Sequence, residues 1–388
     1  MNFKFSEEEE ITKELAAQIL RAGTSFDRLR QVEKDAAGPG FDRELWKQLA
    51  EANLIGLPIA EEYGGQGFSF LSLCLLLEEA GRTLAPVPLF ESVVLSLLVI
   101  EKFGSDGLRK GLVPKVVAGE AILTAAFAEI GDPPLARQAR TRAAAVSGGF
   151  ELTGQKLCVP FASGATKILV SASGDAGLGL FLIAPDAKGV TLEEQKTTAH
   201  ERQFILSLDR VAVAGEDVVA LPGRGEEILE WLAPRASTAL AAIGVGAAAE
   251  GLRQTAEYTS TRKQFGREIG SFQGVSLRAA DAYIDVEAMR STMWQAAWRI
   301  DNGDDAAKAA AVAKWWACMG GHRVSHTCQH LHGGIGSDID YPIHRFFLRL
   351  KHVAMTLGGA NEQLALLGGL MADQARAGAT AGEVLLPC

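Results

Sequence analysis

The sequence predicts an α+β protein in three parts: an N-terminal helical domain over residues 1–121, a small antiparallel β domain over 122–224, and a four-helix-type bundle over 225–388. Two changes in apolar spacing carry this reading. Helical spacing gives way near Ile122 to short Val-, Leu- and Phe-rich runs broken by Gly, Pro and Asp, and it returns after Gly225. Between the short runs there is no ten-residue helical pattern, which favours an antiparallel arrangement over a parallel one.

In chain order, Ser6 followed by Glu9 reads as a capping box that opens the first helix, and the glutamates at 7–10 suit the positive end of its dipole. Leu45, Leu49 and Leu54 keep helical spacing, and Leu71 to Ala80 reads as a further apolar helix. Between them, Tyr63-Gly-Gly-Gln-Gly67 is a glycine loop. The strand candidates are Lys167–Ala172, Leu178–Ala184 and Phe204–Val213, the last with Phe204, Leu206 and Leu208 alternating. In the third part, Met289, Met293, Ala296 and Ile300 form one helical stripe. Ala306, Ala310, Ala313, Ala317, Gly320 and Val324 form another, of small residues that let helices approach closely.

Composition narrows the function classes. A formal charge of -9 argues against bulk nucleic-acid binding, which leans on excess Lys and Arg. Five scattered cysteines (Cys74, Cys158, Cys318, Cys328, Cys388) make no disulfide framework, which suits a reducing compartment. The acidic N-terminus does not read as a signal peptide, and the apolar run near Val93–Ile100 is far short of a membrane span, so a soluble cytoplasmic protein is expected. Cys318, His322, His326 and His330 recur every four residues, but the glutamate of a zinc-binding HExxH helix is missing. Packing and polar contacts are expected there, and no metal site. Glycines at 131 and 223–225 punctuate loops, and no dinucleotide-binding G-x-G-x-x-G follows a strand.

Three segments then carry a resemblance. They are Pro58-Ile-Ala-Glu-Glu-Tyr63-Gly-Gly-Gln-Gly67; Tyr258-Thr-Ser-Thr-Arg262-Lys-Gln-Phe265-Gly266 with Ile269 and Phe272-Gln273; and Gln329-His-Leu-His-Gly333-Gly334-Ile-Gly336 with Tyr341-Pro-Ile-His-Arg345. In order and spacing the chain resembles the acyl-CoA dehydrogenase family from about Ser6 to Leu366. The resemblance implies FAD as cofactor and an acyl-CoA thioester as substrate. It also implies that Arg262, Phe265, Gln273, Gln329, Gly333 and Gly334 hold the adenine and pyrophosphate half of an FAD bound mainly by a neighbouring subunit. A fixed guanidinium and exposed backbone N–H groups suit pyrophosphate oxygens. Without the resemblance, the same residues read as a capped helix end and a glycine turn.

The other half departs from the family pattern. Ala128 stands where the family has a flavin-contacting threonine, and Cys158 and Pro160 stand where it has a tryptophan and a threonine. Gly358 falls at the usual position of the catalytic glutamate, and Pro234 at the alternative one on an earlier helix. Abstraction of a proton α to a thioester carbonyl needs a positioned base. Glu362 lies nearby but matches an ordinary position of the motif. The retained half is the one offered to a neighbour. The resemblance therefore points to the glutamate-lacking subunit of a heteromeric α2β2 dehydrogenase, of the kind found in bacterial catabolism of steroid CoA thioesters, working with a paralogous subunit and an electron-transfer acceptor. Two other readings remain: a homomeric flavoenzyme whose chemistry needs no glutamate, of hydroxylase or desulfinase type, and a non-catalytic scaffold.

Overall fold

The computed structural model describes residues 4–133 and 135–379. Cys388 lies outside the described residues. Six α-helices come first: α1 (Glu7–Gly23), α2 (Phe26–Lys34), α3 (Arg43–Glu51), α4 (Phe70–Thr83), α5 (Leu98–Phe103) and α6 (Asp106–Val117). Eight strands follow: β1 (Leu123–Ala126), β2 (Arg142–Val146), β3 (Gly149–Pro160), β4 (Lys167–Gly174), β5 (Gly177–Ile183), β6 (Val190–Gln195), β7 (Gln203–Ala214) and β8 (Val218–Ala220). The rest is α7 (Gly225–Thr261), a short hairpin of β9 (Lys263–Gln264) and β10 (Arg267–Glu268), then α8 (Gln273–Asp301), α9 (Ala307–His332), α10 (Ile343–Met355) and α11 (Ala360–Arg376).

Local chemistry explains the ends of several elements. Glu9 N–H donates to Ser6 Oγ (3.2 Å), and Ser6 N–H donates back to Glu9 Oε2 (2.8 Å), closing the capping box. Helix α3 is capped by Asp42, which accepts from the N–H groups of Glu44 and Leu45 and is gripped by Arg28. It stops at Ala52 because Asn53 turns left-handed (φ 58°), so Leu54, expected on the helix, packs from the following turn. One feature has no sequence signature. Leu89–Leu97 is a fully buried π-helical stretch, a conformation usually limited to single turns.

The sheet runs β6-β7-β3-β2-β4-β5-β8, with β1 paired to β4. Most pairings are antiparallel, as the alternating pattern implied, and Phe204, Leu206 and Leu208 all point into its core. Two pairings are parallel: β1 with β4 along four residues, and β2 with β4 at Arg142 and Ser173. Two bulges interrupt β3 against β7. The second, between Lys156 and Val159, holds Cys158 at φ 52°.

The chain packs as two compact units, divided within α7 between Ala236 and Ser237. One holds residues 14–73 and 86–236, with the sheet and most of the N-terminal helices. The other holds residues 4–13, 74–85 and 237–379, where α8 and α9 pack through the expected stripes and α10 packs on α9. Met289, Met293, Ala313, Ala317 and Val324 are completely buried. Glycines here allow close helix contact: a Cβ on Gly81 would meet the Ile243 carbonyl oxygen at 2.1 Å, and one on Gly246 that of Glu78 at 1.8 Å. Helix α7 is long and apolar enough to pass as a membrane span by length and composition. Since 67% of its most apolar window is buried inside the chain, it reads as a core helix.

Candidate functional site

The six expected cofactor residues fall in one compact unit, on two segments that are joined by stacked rings. Helix α7 ends where Arg262 N–H donates to Tyr258 O (2.9 Å), and the chain then makes the β9–β10 hairpin. Its two-residue turn is Phe265-Gly266 with φ 54° and 81°. Both residues are left-handed, as a type I′ turn requires, and glycine takes the second place without strain. Phe265 takes the first with strain and is 92% exposed. A large aromatic held in a costly conformation with no cover of its own is the mark of a contact residue rather than a packing one. Ile269 N–H donates to Arg262 O (2.8 Å) and closes the loop, and the Arg267 guanidinium stacks on Phe272 at 4.0 Å. Gln273 opens α8 in an exposed position. Among the described residues, the exposed Arg262 guanidinium has no carboxylate partner.

The second segment is the end of α9. Gln329 donates through Nε2 to Gly336 O and so folds the glycine turn back on the helix, while its Oε1 is buried without a partner. Gly333 ends the helix at φ 63°, ψ -142°, which side chains avoid, and a Cβ added at Gly333 or Gly334 would meet nothing within 4 Å. The turn's backbone is open on that side. His332 joins the two segments: its ring stacks on Tyr258 at 4.5 Å, one helical turn before Arg262, and lies 5.3 Å from Tyr341. His332 Nδ1 bonds to Cys328 O at 2.8 Å, and burial holds its pKa below the usual histidine value. An unpaired guanidinium, an uncovered aromatic, an open glycine turn and an orphaned amide oxygen fit the anionic, ring-bearing half of a dinucleotide.

The other expected positions lie elsewhere in the chain. Ala128 O accepts from Leu157 N–H (2.9 Å), and Cys158 N–H donates to Gln195 Oε1 (2.9 Å). Pro160 ends β3, with its carbonyl held by Thr124 Oγ1 (2.7 Å). Between Ala128 and Cys158 the structure shows a pair that sequence reasoning missed. Lys156 Nζ, fully buried, meets Glu129 Oε1 at 2.7 Å and Ser171 Oγ at 3.0 Å. Glu129 also accepts from Thr141 N–H (2.9 Å), Thr141 Oγ1 (2.5 Å) and Arg140 N–H. Burial works to raise the Glu129 pKa, but the bonds from Lys156 and Thr141 outweigh it and hold the carboxyl below its usual range. Burial lowers the Lys156 pKa, and Glu129 offsets only part of that. The two charged residue types twenty-seven positions apart were the only signal in the sequence.

At Gly358 no side chain enters. Leu357 and Gly358 are both left-handed (φ 56° and 92°), and the loop is held from below by Lys314. That fully buried ammonium donates to Val353 O (2.9 Å) and Gly358 O (3.0 Å) and contacts Cys318 Sγ (3.3 Å). Burial lowers its pKa. Glu362 is exposed on the first turn of α11, its Cβ 3.4 Å from where a Gly358 Cβ would stand. Pro234 lies inside α7, and the neighbouring Arg235 stacks on Trp231 at 3.8 Å.

With this geometry in place, the class is defined. Residues 6–120 match the model of the acyl-CoA dehydrogenase N-terminal domain and residues 223–369 that of the C-terminal domain. The chain belongs to the acyl-CoA dehydrogenase family and is an oxidoreductase of that family. It is similar to acyl-CoA dehydrogenase FadE27 of Mycobacterium tuberculosis, with 38% identity over 88% of this chain and 92% of that one. It is also similar to FadE28 of the same organism, with 30% identity over 87% and 96%. Among solved structures, a variant of the Tcur3481–Tcur3483 steroid ACAD matches at TM-score 0.88 with 43% identity, covering 95% of this chain and 99% of that one. The ChsE4–ChsE5 complex from M. tuberculosis matches at TM-score 0.89 with 37% identity, covering 96% and 99%.

Proposed function

We propose that this chain is one subunit of a heteromeric, FAD-dependent acyl-CoA dehydrogenase that introduces an α,β double bond into a bulky, steroid-type CoA thioester. One asymmetry carries the reading. Arg262, Phe265, Gln273, Gln329, Gly333 and Gly334 are intact and gathered in one place, whereas position 358 has no side chain. The chain would lend its adenine-side contacts to a paralogous partner that carries the glutamate and takes the α proton. Bound flavin would supply the hydride-accepting ring, with an electron-transfer acceptor outside the chain. The similar solved structures, one a steroid ACAD of two named components and the other a two-component complex, support the heteromeric reading and the steroid-type substrate.

In this arrangement Arg262 lies at the subunit interface, its guanidinium on the pyrophosphate and Phe265 against the dinucleotide. The glycine turn leaves room for the adenine half. A visible spectrum tests the whole reading. The chain alone should be colourless and gain a stoichiometric flavin band only when purified with its partner. A full flavin band in the chain alone would favour a homomeric flavoenzyme, and none in either preparation would favour a scaffold. Within the assembly, Arg262→Ala should remove a charge-assisted contact of about 1.5–3 kcal/mol, or roughly tenfold or more in FAD affinity. Unchanged flavin retention on dilution would count against the assignment.

The closeness of Glu362 to position 358 raises one competing possibility, a relocated base. Its place on a solvated helical turn argues against that role, so Glu362→Gln should leave the assembly's kcat within about twofold. A loss of about 10²-fold or more, the scale of a missing general base, would move the base to Glu362.

A further inference from the structure

On the exposed side of α9, away from the segments described above, His322 and His326 stand one helical turn apart with ring centroids 4.3 Å from each other. Their lone pairs converge on one point, because Lys351 Nζ of α10 contacts His322 Nδ1 and lies 3.4 Å from His326 Nε2. Two imidazole nitrogens can both face an ammonium only as acceptors, so each ring presents a bare nitrogen to the same cation. That is the donor arrangement of a metal chelate, here filled by a lysine. The surroundings hold it in place: His326 packs against Phe347 at 5.0 Å, Lys351 lies over the same ring at 5.2 Å, and Arg323 is drawn aside by Asp285 at 2.6 Å. The other members of the four-residue repeat do not join. Cys318 is buried and directed to Ala354 O (3.6 Å), and no group of three metal-ligating side chains exists among the described residues.

We propose that His322 and His326 form a two-point chelate for a borderline divalent transition-metal ion such as Zn²⁺ or Cu²⁺, with Lys351 as the internal cation that the metal displaces. Imidazole pairs select these ions over Mg²⁺ and Ca²⁺, which prefer oxygen. Solvent would complete the coordination shell, so the site is open and its affinity modest. The nitrogens that face Lys351, His322 Nδ1 and His326 Nε2, are the ones a metal ion would take, while the other nitrogen of each neutral ring keeps its proton. The same ammonium opposes a second cation, and that opposition yields the distinguishing expectation.

Isothermal titration of the untagged full-length chain with ZnCl₂ and CuCl₂ is the test. The wild type should take up one ion per chain, Cu²⁺ more tightly than Zn²⁺, and should bind less as pH falls through the histidine range. His326→Ala should weaken binding at least about tenfold, whereas Lys351→Met should tighten it by removing the competitor. MgCl₂ should give no saturation. The proposal is overturned by any of three results: no saturable Zn²⁺ or Cu²⁺ binding below about 1 mM in either the wild type or Lys351→Met, binding that His326→Ala leaves unchanged, or a Lys351→Met variant that binds more weakly. The circular-dichroism spectrum of each variant shows whether the helices are intact, so lost binding is not mistaken for lost folding.

Discussion

Purified without a partner, the chain should show no measurable dehydrogenation of short, long or steroid-like acyl-CoA, and adding FAD should not change this. Loss of a positioned base alone lowers the rate by about 10²–10⁴-fold, and on the proposed reading neither Gly358 nor Pro234, the expected locations of the base, offers a carboxylate. On the proposed reading, Ala128, Cys158 and Pro160 should further weaken flavin binding in cis. Gly358→Glu should therefore fail to create an active homomer. The structure adds a second obstacle, because Gly358 sits at φ 92°. An L-residue there costs about 1–2 kcal/mol, and its Cβ would press on Gln363 Nε2 at 3.3 Å. Assays of both proteins, alone and with FAD, decide the matter. Robust turnover by the wild type alone refutes the partner-subunit reading, and turnover by the variant alone shows that its flavin site was intact.

The second large effect lies in the sheet. Glu129→Ala should destabilise the protein by about 3–5 kcal/mol, because it leaves the Lys156 ammonium buried without its counter-ion. Glu129→Leu combined with Lys156→Leu should cost much less than the sum of the single changes, since no charge is then stranded. Denaturant unfolding of the three variants measures both. The pair also sets a pH dependence. The folded-state pKa of Glu129 lies below its ordinary value of 4.5, so its contribution is fully present above that value and is lost as pH falls through the folded pKa. The gap between wild type and Glu129→Ala should therefore narrow in acid. A constant gap down to the acid transition would show that the pair is not linked to protonation as described.

The features legible in the sequence are those that repeat over a few residues. The alternation of Phe204, Leu206 and Leu208, the Ser6–Glu9 capping box and the small-residue stripe of α9 all state their burial or bonding within one element. Arg262, Gln329, the glycine turn and Gly358 were singled out by motif, the hairpin between α7 and α8 was not foreseen, and the structure brings hairpin and turn together through Tyr258 and His332. Non-local contacts were hidden. The parallel seat of β1 beside β4 joins Leu123 to Lys167, and nothing local to either strand encodes the partner. Nothing in the sequence marks Lys156 and Lys314 as buried, yet the fold closes completely over both.

Lys314 has a bearing on ancestry. It grips the loop at Val353 O and Gly358 O, backbone atoms that every amino acid supplies, so this anchor does not depend on the side chain at 358, although the φ of 92° there favours glycine. If the proposed partner-subunit reading holds, a duplicated gene for a self-sufficient dehydrogenase that exchanged its carboxylate for glycine here would keep this anchor and lose backbone strain. The silent copy would persist for as long as its sister chain still needed the surface around Arg262. On that view, the division of labour between paralogues began as a tolerated loss in a loop that was already held from beneath.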